Sequence, residues 1–449
     1  MVESARPAYA DPEAVARSTR EHVLVSWSVQ SKTNPVYIVD AEGVWLFDSA
    51  GRKILDFSSQ LLNLQAGHKH PKIVRAIQEQ AGRMAYIGPN FANDVRAELA
   101  RRIAAVAPGD LTRTLFTTGG AEANENALKA VRLATGRRKI ISRYRAYHGA
   151  TFGAMSLGGD NRRWANEPGM DSVVRVFDPY CYRCSFGRQP GSCGLECVSH
   201  IEEVISYEGA ETIAAVFIEG LTGTNGIFVN PPGYLTALRA LCDKYGILLV
   251  SDEVMSGFGR TGKWWAVDHE NMVPDIITFA KGVNSGYVPL GGVIMSQELS
   301  DYFKDHMFWG GLTYSGHPLA CAAGIANMEV YEEEGLIENA ARMGDILLAE
   351  MTKVQEKHPS VGDVRGKGLF VGVELVKDKA TREPITPWNS AGSGIAAELG
   401  KALMAKGIFV YCRWNMMFLA PPLIINEDEI RYGVRLIDEA LAVADAAAN

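Results

Sequence analysis

Between about residues 112 and 295 the chain alternates strand-sized apolar runs with amphipathic stretches. That alternation restricts this region to βα units around a mainly parallel sheet covered by helices, an α/β fold. The runs fall at 114–117, 139–142, 213–218, 247–251, 276–279 and 292–295. Most have no polar face, as expected of strands buried on both sides. The stretch from Tyr234 to Tyr245 has apolar positions at helical spacing, and Gly246 stands where a helix C-cap belongs. Open sheets of this kind bind ligands beyond the carboxyl ends of their strands. Chemistry is therefore expected in the residues that directly follow the runs.

The flanks read differently. Residues 36–57 look like a β-meander with glycine turns, and the chain after residue 320 turns to long helical patterns, a strand-like 368–375 and a final helix near 427–446. A smaller α+β unit built from both chain ends, 1–65 and 329–449, around a large ligand-binding unit at 66–328 fits this order. The net charge of −7 opposes binding to a nucleic-acid backbone, so no nucleic-acid partner is expected. No stretch approaches the roughly 18–20 apolar residues of a membrane span, and the N-terminal residues lack a secretory apolar core. With seven cysteines and no signal, a cytoplasmic protein with reduced thiols and no membrane partner is expected.

Four run ends carry suggestive groups. After 114–117 comes Thr118-Gly119-Gly120-Ala121-Glu122-Ala123-Asn124, opening a helix, where free backbone N–H groups and the helix dipole suit a phosphate. Asp252 follows 247–251, a carboxylate able to pair with a cation or to cap a helix. Lys281 closes 276–279, where partial desolvation favours the neutral, imine-forming amine. Tyr147 and His148 bring rings to a fourth end. Each alone has an ordinary structural reading. Together they make a phosphate cradle, a ring-nitrogen partner, an amine nucleophile and a stacking plate, which is what pyridoxal 5′-phosphate needs.

The block from Leu248-Leu-Val-Ser-Asp252-Glu-Val254 through Phe258-Gly-Arg-Thr-Gly262 to Pro274-Asp275-Ile-Ile-Thr-Phe-Ala-Lys281-Gly282, followed by Pro289-Leu-Gly-Gly292, resembles the class III (omega) pyridoxal-phosphate aminotransferases of fold type I. The resemblance runs from about Trp27 to the C-terminal helix. It implies that Lys281 is the Schiff-base lysine and proton shuttle, that Asp252 partners the pyridinium, and that Val254 and Tyr147 flank the ring. It further implies that Gly120 and Ala121 hold the phosphate, with His148 and Glu219 beside the cofactor. Thr313, in Gly311-Leu-Thr313-Tyr314, would reach a partner's phosphate, which implies a homodimer, or a tetramer of such dimers. Arg413 falls on the family's substrate arginine, and Trp27 on a pocket wall.

The phrases around Trp27 and Gly158-Gly159-Asp160-Asn161-Arg162-Arg163 look like taurine and omega-amino-acid aminotransferases, with Arg163 or Arg162 as holder of a distal sulfonate or carboxylate. Two departures stand out. Gly119-Gly120-Ala121 replaces a hydroxyl-bearing turn, and Thr224 stands where many relatives have a glutamate that holds the mobile arginine. Arg413 is accordingly expected to be free to move. The implied reaction is ping-pong transfer of an amino group from an amine donor (taurine, β-alanine, longer omega-amino acids or simple amines) to a 2-oxo acid such as pyruvate or 2-oxoglutarate. The competing readings are a decarboxylase or aminomutase on the same fold, and a catalytically silent binding protein. Cys181, Cys184, Cys193 and Cys197 resemble a zinc-binding set, but the spacer is short and the second pair is Cys-x3-Cys, so no metal is expected.

Overall fold

The computed structural model describes residues 11–390 and 394–448. Residues 1–10, the start of both the expected N-terminal unit and the leader reading, lie outside the described residues. The chain begins with an antiparallel meander of β1 (Ile38–Glu42), β2 (Trp45–Asp48) and β3 (Lys53–Asp56). Next come the strands of the central sheet: β4 (Arg113–Thr117), β5 (Lys139–Arg143), β6 (Val173–Val176), β7 (Ile213–Glu219), β8 (Leu248–Asp252), β9 (Ile276–Phe279) and β10 (Gly291–Met295). The last stretch supplies β11 (Val361–Gly366), β12 (Val371–Asp378), β13 (Glu383–Pro384), β14 (Ile408–Phe409), β15 (Tyr411–Arg413) and β16 (Met416–Leu419).

The central sheet has seven strands in the order β4-β10-β9-β8-β7-β5-β6, and only β10 runs antiparallel to its neighbours. Its central strands are largely apolar because both faces are covered. Ile140, Phe217, Val250 and Ile276 pack on one side with the helix Gly120–Thr135, while Ile141, Val216, Leu249 and Ile277 face the other core. That helix ends at Gly136 and the helix Tyr234–Tyr245 at Gly246, both left-handed (φ +66° and +59°), so each stops where a residue without a Cβ is needed. The edge strand β6 escapes the sequence pattern because its run of apolar residues is only four long and broken by Arg175.

Strand register places the chemistry. Glu219 pairs with Asp252, and Asp252 with Thr278, so the carboxyl ends of β7, β8 and β9 form one row of polar side chains. The antiparallel β10 starts at that same end, with Gly291 opposite Thr117.

The chain termini meet in a four-stranded sheet, where β14 runs parallel to β3 with Ile408 opposite Leu55. The segment after β3 is stitched to the C-terminal region through side chains. Ser58 Oγ donates to the Phe418 carbonyl (2.6 Å) and accepts from Tyr411 N (2.9 Å), and Ser59 Oγ donates to the Ala420 carbonyl (2.7 Å). The other C-terminal sheet has the order β11-β12-β16-β15, with β13 on β12. Among the described residues no helix is long and apolar enough to cross a membrane.

Candidate functional site

A cavity of about 450 Å³ opens at the carboxyl ends of the central strands. Its wall includes Trp27, Gly120, Ala121, Tyr147, His148, Arg162, Glu219, Asp252, Val254 and Lys281. Strand ends thus bring together residues that lie far apart in sequence.

Asp252 ends β8 and is 4% exposed. Asn124 Nδ2 donates to its Oδ2 (2.7 Å), His148 Nδ1 lies 2.8 Å from the same oxygen, and Val254 N donates to Oδ1 (3.0 Å). Asn124 is in turn fixed by Thr278 Oγ1, which donates to its Oδ1 (2.8 Å). A buried carboxylate needs such donors to stay charged. Asn124 and Thr278 therefore belong to the site although sequence reasoning gave them no role. The signal was present in Asn124, which sits one turn into the helix that the glycine-rich turn opens.

Glu219 is also buried, and burial raises its pKa. It accepts from Tyr147 N (3.1 Å) and Gly223 N (2.6 Å), so it fixes the backbone beneath the Tyr147 ring.

Lys281 follows β9 with φ +44°, a left-handed conformation that costs a residue with a Cβ about 1–2 kcal/mol. Among the described residues its Nζ has no hydrogen-bond partner. Burial lowers its pKa from 10.5 to about 8, against the opposing pull of Asp252 and Glu219 and with help from the Arg162 charge. A free amine with that pKa is a usable nucleophile near neutral pH.

The helix Gly120–Thr135 starts at the cavity, so the Gly120 and Ala121 amides lie in the first turn, where N–H groups lack intrahelical acceptors. A Cβ on Gly120 would lie 2.8 Å from the Val254 side chain, and one on Gly149 (φ +136°) would lie 2.5 Å from Ala121 Cβ. Both glycines keep this wall close-packed. The amides, the carboxylate and the lysine fit the phosphate, ring nitrogen and aldehyde of pyridoxal phosphate respectively.

The family model for class-III aminotransferases matches residues 27–441. The chain belongs to the class-III aminotransferases. This aminotransferase is 40% identical, with a TM-score of 0.93, to a taurine:2-oxoglutarate aminotransferase from Bifidobacterium kashiwanohense solved in complex with PLP and glutamate, over 97% of this chain and 98% of the other. It is 36% identical to a taurine–pyruvate aminotransferase of Bilophila wadsworthia (92% of this chain, 93% of the relative). It is 39% identical to a probable aminotransferase of Mycobacterium tuberculosis (87% and 86%). The aminotransferase is therefore a pyridoxal-phosphate enzyme with the type I fold.

Other expected positions fall less simply. Trp27 stands at the cavity mouth, 61% exposed and edge-on to the Tyr147 ring (6.3 Å between centroids). Thr313 is exposed, does not line its own chain's cavity, and its carbonyl accepts from Tyr86 Oη (2.8 Å). Arg163 pairs with Glu167 and does not reach the cavity, whereas Arg162 lines it, with its guanidinium 3.7 Å from the Tyr147 ring centre. Arg413 is not free, contrary to expectation. Its Nη2 donates to Asn161 Oδ1 (3.2 Å) and its Nη1 lies 3.7 Å from Asp160 Oδ2. The counter-ion comes not from position 224 but from Asp160, two residues before Arg162.

The four clustered cysteines surround a small pocket away from this site, and burial pushes the Cys197 thiol up to about 12. Among the described residues no group of three or more His, Cys, Asp or Glu side chains is arranged to hold a metal ion.

The lowered Lys281 pKa gives a pH prediction. Only the neutral amine can bond the cofactor's aldehyde, so uptake of pyridoxal phosphate by the apoenzyme should speed up about tenfold per pH unit below about 8 and level off above it. Stopped-flow absorbance checks this. A rate still climbing at pH 10 would show that the amine keeps its ordinary pKa.

Proposed function

We propose that this aminotransferase moves the amino group of an omega-amino acid bearing a distal sulfonate or carboxylate, of the taurine and β-alanine class, to a 2-oxo acid such as pyruvate or 2-oxoglutarate. One observation carries the choice of donor. The cavity wall holds Arg162 with Arg413 close behind, and the two guanidiniums share a single carboxylate, Asp160. The surplus positive charge suits a donor with an anionic tail and disfavours a simple alkylamine.

Bound pyridoxal phosphate supplies an aldehyde that captures amines and a ring that withdraws electrons from the neighbouring carbon. The chain's own part divides among the residues described. Gly120 and Ala121 N–H groups hold the phosphate, aided by Thr313 of a second copy in a homodimer. Asp252, oriented by His148 and Asn124, keeps a proton on the ring nitrogen. Val254 and Tyr147, both on the cavity wall, would hold the ring, and Glu219 holds the Tyr147 backbone in place. Lys281 Nζ would take up and return the proton of the donor carbon. Trp27 closes the outer wall against water, and Arg413 takes the 2-oxo acid carboxylate. Exposed Phe91, Met307, Trp309 and Tyr314 support burial against a second copy. The proposed units are 66–328 for the cofactor and 1–65 with 329–449 for the smaller part, supported by the pairing of β3 with β14. A cytoplasmic setting agrees with seven free cysteines.

The test is a donor panel of taurine, β-alanine and propylamine, with either 2-oxo acid as acceptor and the amino-acid product quantified. Taurine or β-alanine should exceed propylamine in kcat/KM by at least about tenfold, the worth of one charge-assisted pair. Equal rates for propylamine would overturn the donor assignment. Carbon dioxide release or an isomerised product without new amino acid would overturn transamination.

A further inference from the structure

Asp160 ties the two arginines together. It is 2% exposed, and its oxygens accept from Arg162 Nε (3.0 and 2.9 Å) and from Arg162 Nη2, while Arg413 Nη1 lies 3.7 Å away. Arg413 Nη1 is itself buried without a hydrogen-bond partner. An enclosed N–H lacking an acceptor is unfavourable, and an incoming anion would relieve it. On the remaining side, Arg162 Nη2 donates to the Thr224 hydroxyl (3.3 Å), a group that carries no charge. The negative charge that position 224 lacks is thus supplied from a different loop, by one carboxylate serving two cations.

We propose that Asp160 is the positioning anion of this arginine pair: it holds Arg162 and Arg413 back when the substrate presents an uncharged group, and yields them to a substrate carboxylate or sulfonate. This assignment rests on the donor reading given above. A purely structural role is also visible, because Asp160 Oδ1 accepts from Arg162 N (3.0 Å) as the N-cap of the helix Asn161–Trp164. Asparagine caps helices as well as aspartate does, so Asp160→Asn keeps the cap and removes the charge. That substitution separates the two roles.

The experiment uses the cofactor-loaded enzyme. Ethanesulfonate and propionate, which cannot react, are titrated calorimetrically, and kcat and KM are measured for taurine and propylamine. With its internal competitor gone, Asp160→Asn should bind both probes about tenfold more tightly. KM for taurine should hold or fall. Because the released guanidiniums crowd the cavity, kcat/KM for propylamine should drop about tenfold. Asp160→Glu, which keeps the charge, should restore the wild-type order of preference. Unchanged or weaker probe binding in Asp160→Asn, an equal loss for both donors, or no probe binding by either protein would each overturn the assignment. A wild-type enzyme that prefers propylamine, yet whose Asp160→Asn variant binds ethanesulfonate more tightly, would overturn the donor reading and leave Asp160 in its role.

Discussion

Replacing Lys281 with alanine should reduce multiple turnover by at least about 10⁴-fold, since it removes both a nucleophile and a proton carrier at one position. The loss should come without unfolding. Lys281 Nζ makes no hydrogen bond among the described residues, and burial disfavours its charged form. In the apoprotein that penalty is fully in force below pH about 8 and fades as pH rises toward 10.5, where the unfolded chain's lysine also loses its proton. At pH 7 the apo variant should therefore melt no lower than wild type, while at pH 10.5 any advantage should have shrunk. Visible absorbance and calorimetry read the two effects separately. Near-normal turnover in Lys281→Ala would dismiss the proposed site, and a large drop in apo Tm would show that the lysine supports the fold.

Asp252→Asn should leave the fold intact and lower kcat by about 10²- to 10³-fold or more, the range seen when one preorganised electrostatic partner is removed. The donors Asn124 Nδ2 (2.7 Å) and Val254 N (3.0 Å) end on different carboxylate oxygens, so the single carbonyl oxygen of asparagine keeps one of these hydrogen bonds and loses the other. What it lacks is the charge that holds a proton on a ring nitrogen. The effect should fall on kcat far more than on KM, because the arginines proposed to bind substrate are untouched. A raised KM with kcat preserved would place another group at the ring nitrogen and give Asp252 a role in substrate binding.

The central sheet was legible because its strands are buried on both faces. Runs such as Ile213–Glu219 have no solvent side to interrupt them, and their carboxyl ends delivered Asp252 and Lys281. The edge strand Val173–Val176 was missed because an edge needs neither length nor continuous apolarity. The two-residue Ile408–Phe409 is a strand only by virtue of its partner, and nothing local announces it. Within the site, residues fixed by strand ends could be found from the sequence. Which of two adjacent arginines enters it could not, because a guanidinium goes to whichever carboxylate folding brings near. Arg162 and Arg163 are neighbours of the same type, yet one reaches the cavity and the other pairs with Glu167.

The link between Ser58 and Tyr411 joins residues 353 positions apart. At about 5–20 residues per second, a ribosome needs roughly 20–70 s to pass from the first to the second. Throughout that interval Leu61 and Leu62, which line the cavity, belong to a segment whose anchoring strands do not yet exist. The cofactor cradle between Gly120 and Lys281 is by then fully synthesised but stands open on that side. A nascent chain can therefore acquire the means to capture pyridoxal phosphate before it can enclose it, and final assembly of the pocket waits for the strands Tyr411–Arg413 and Met416–Leu419.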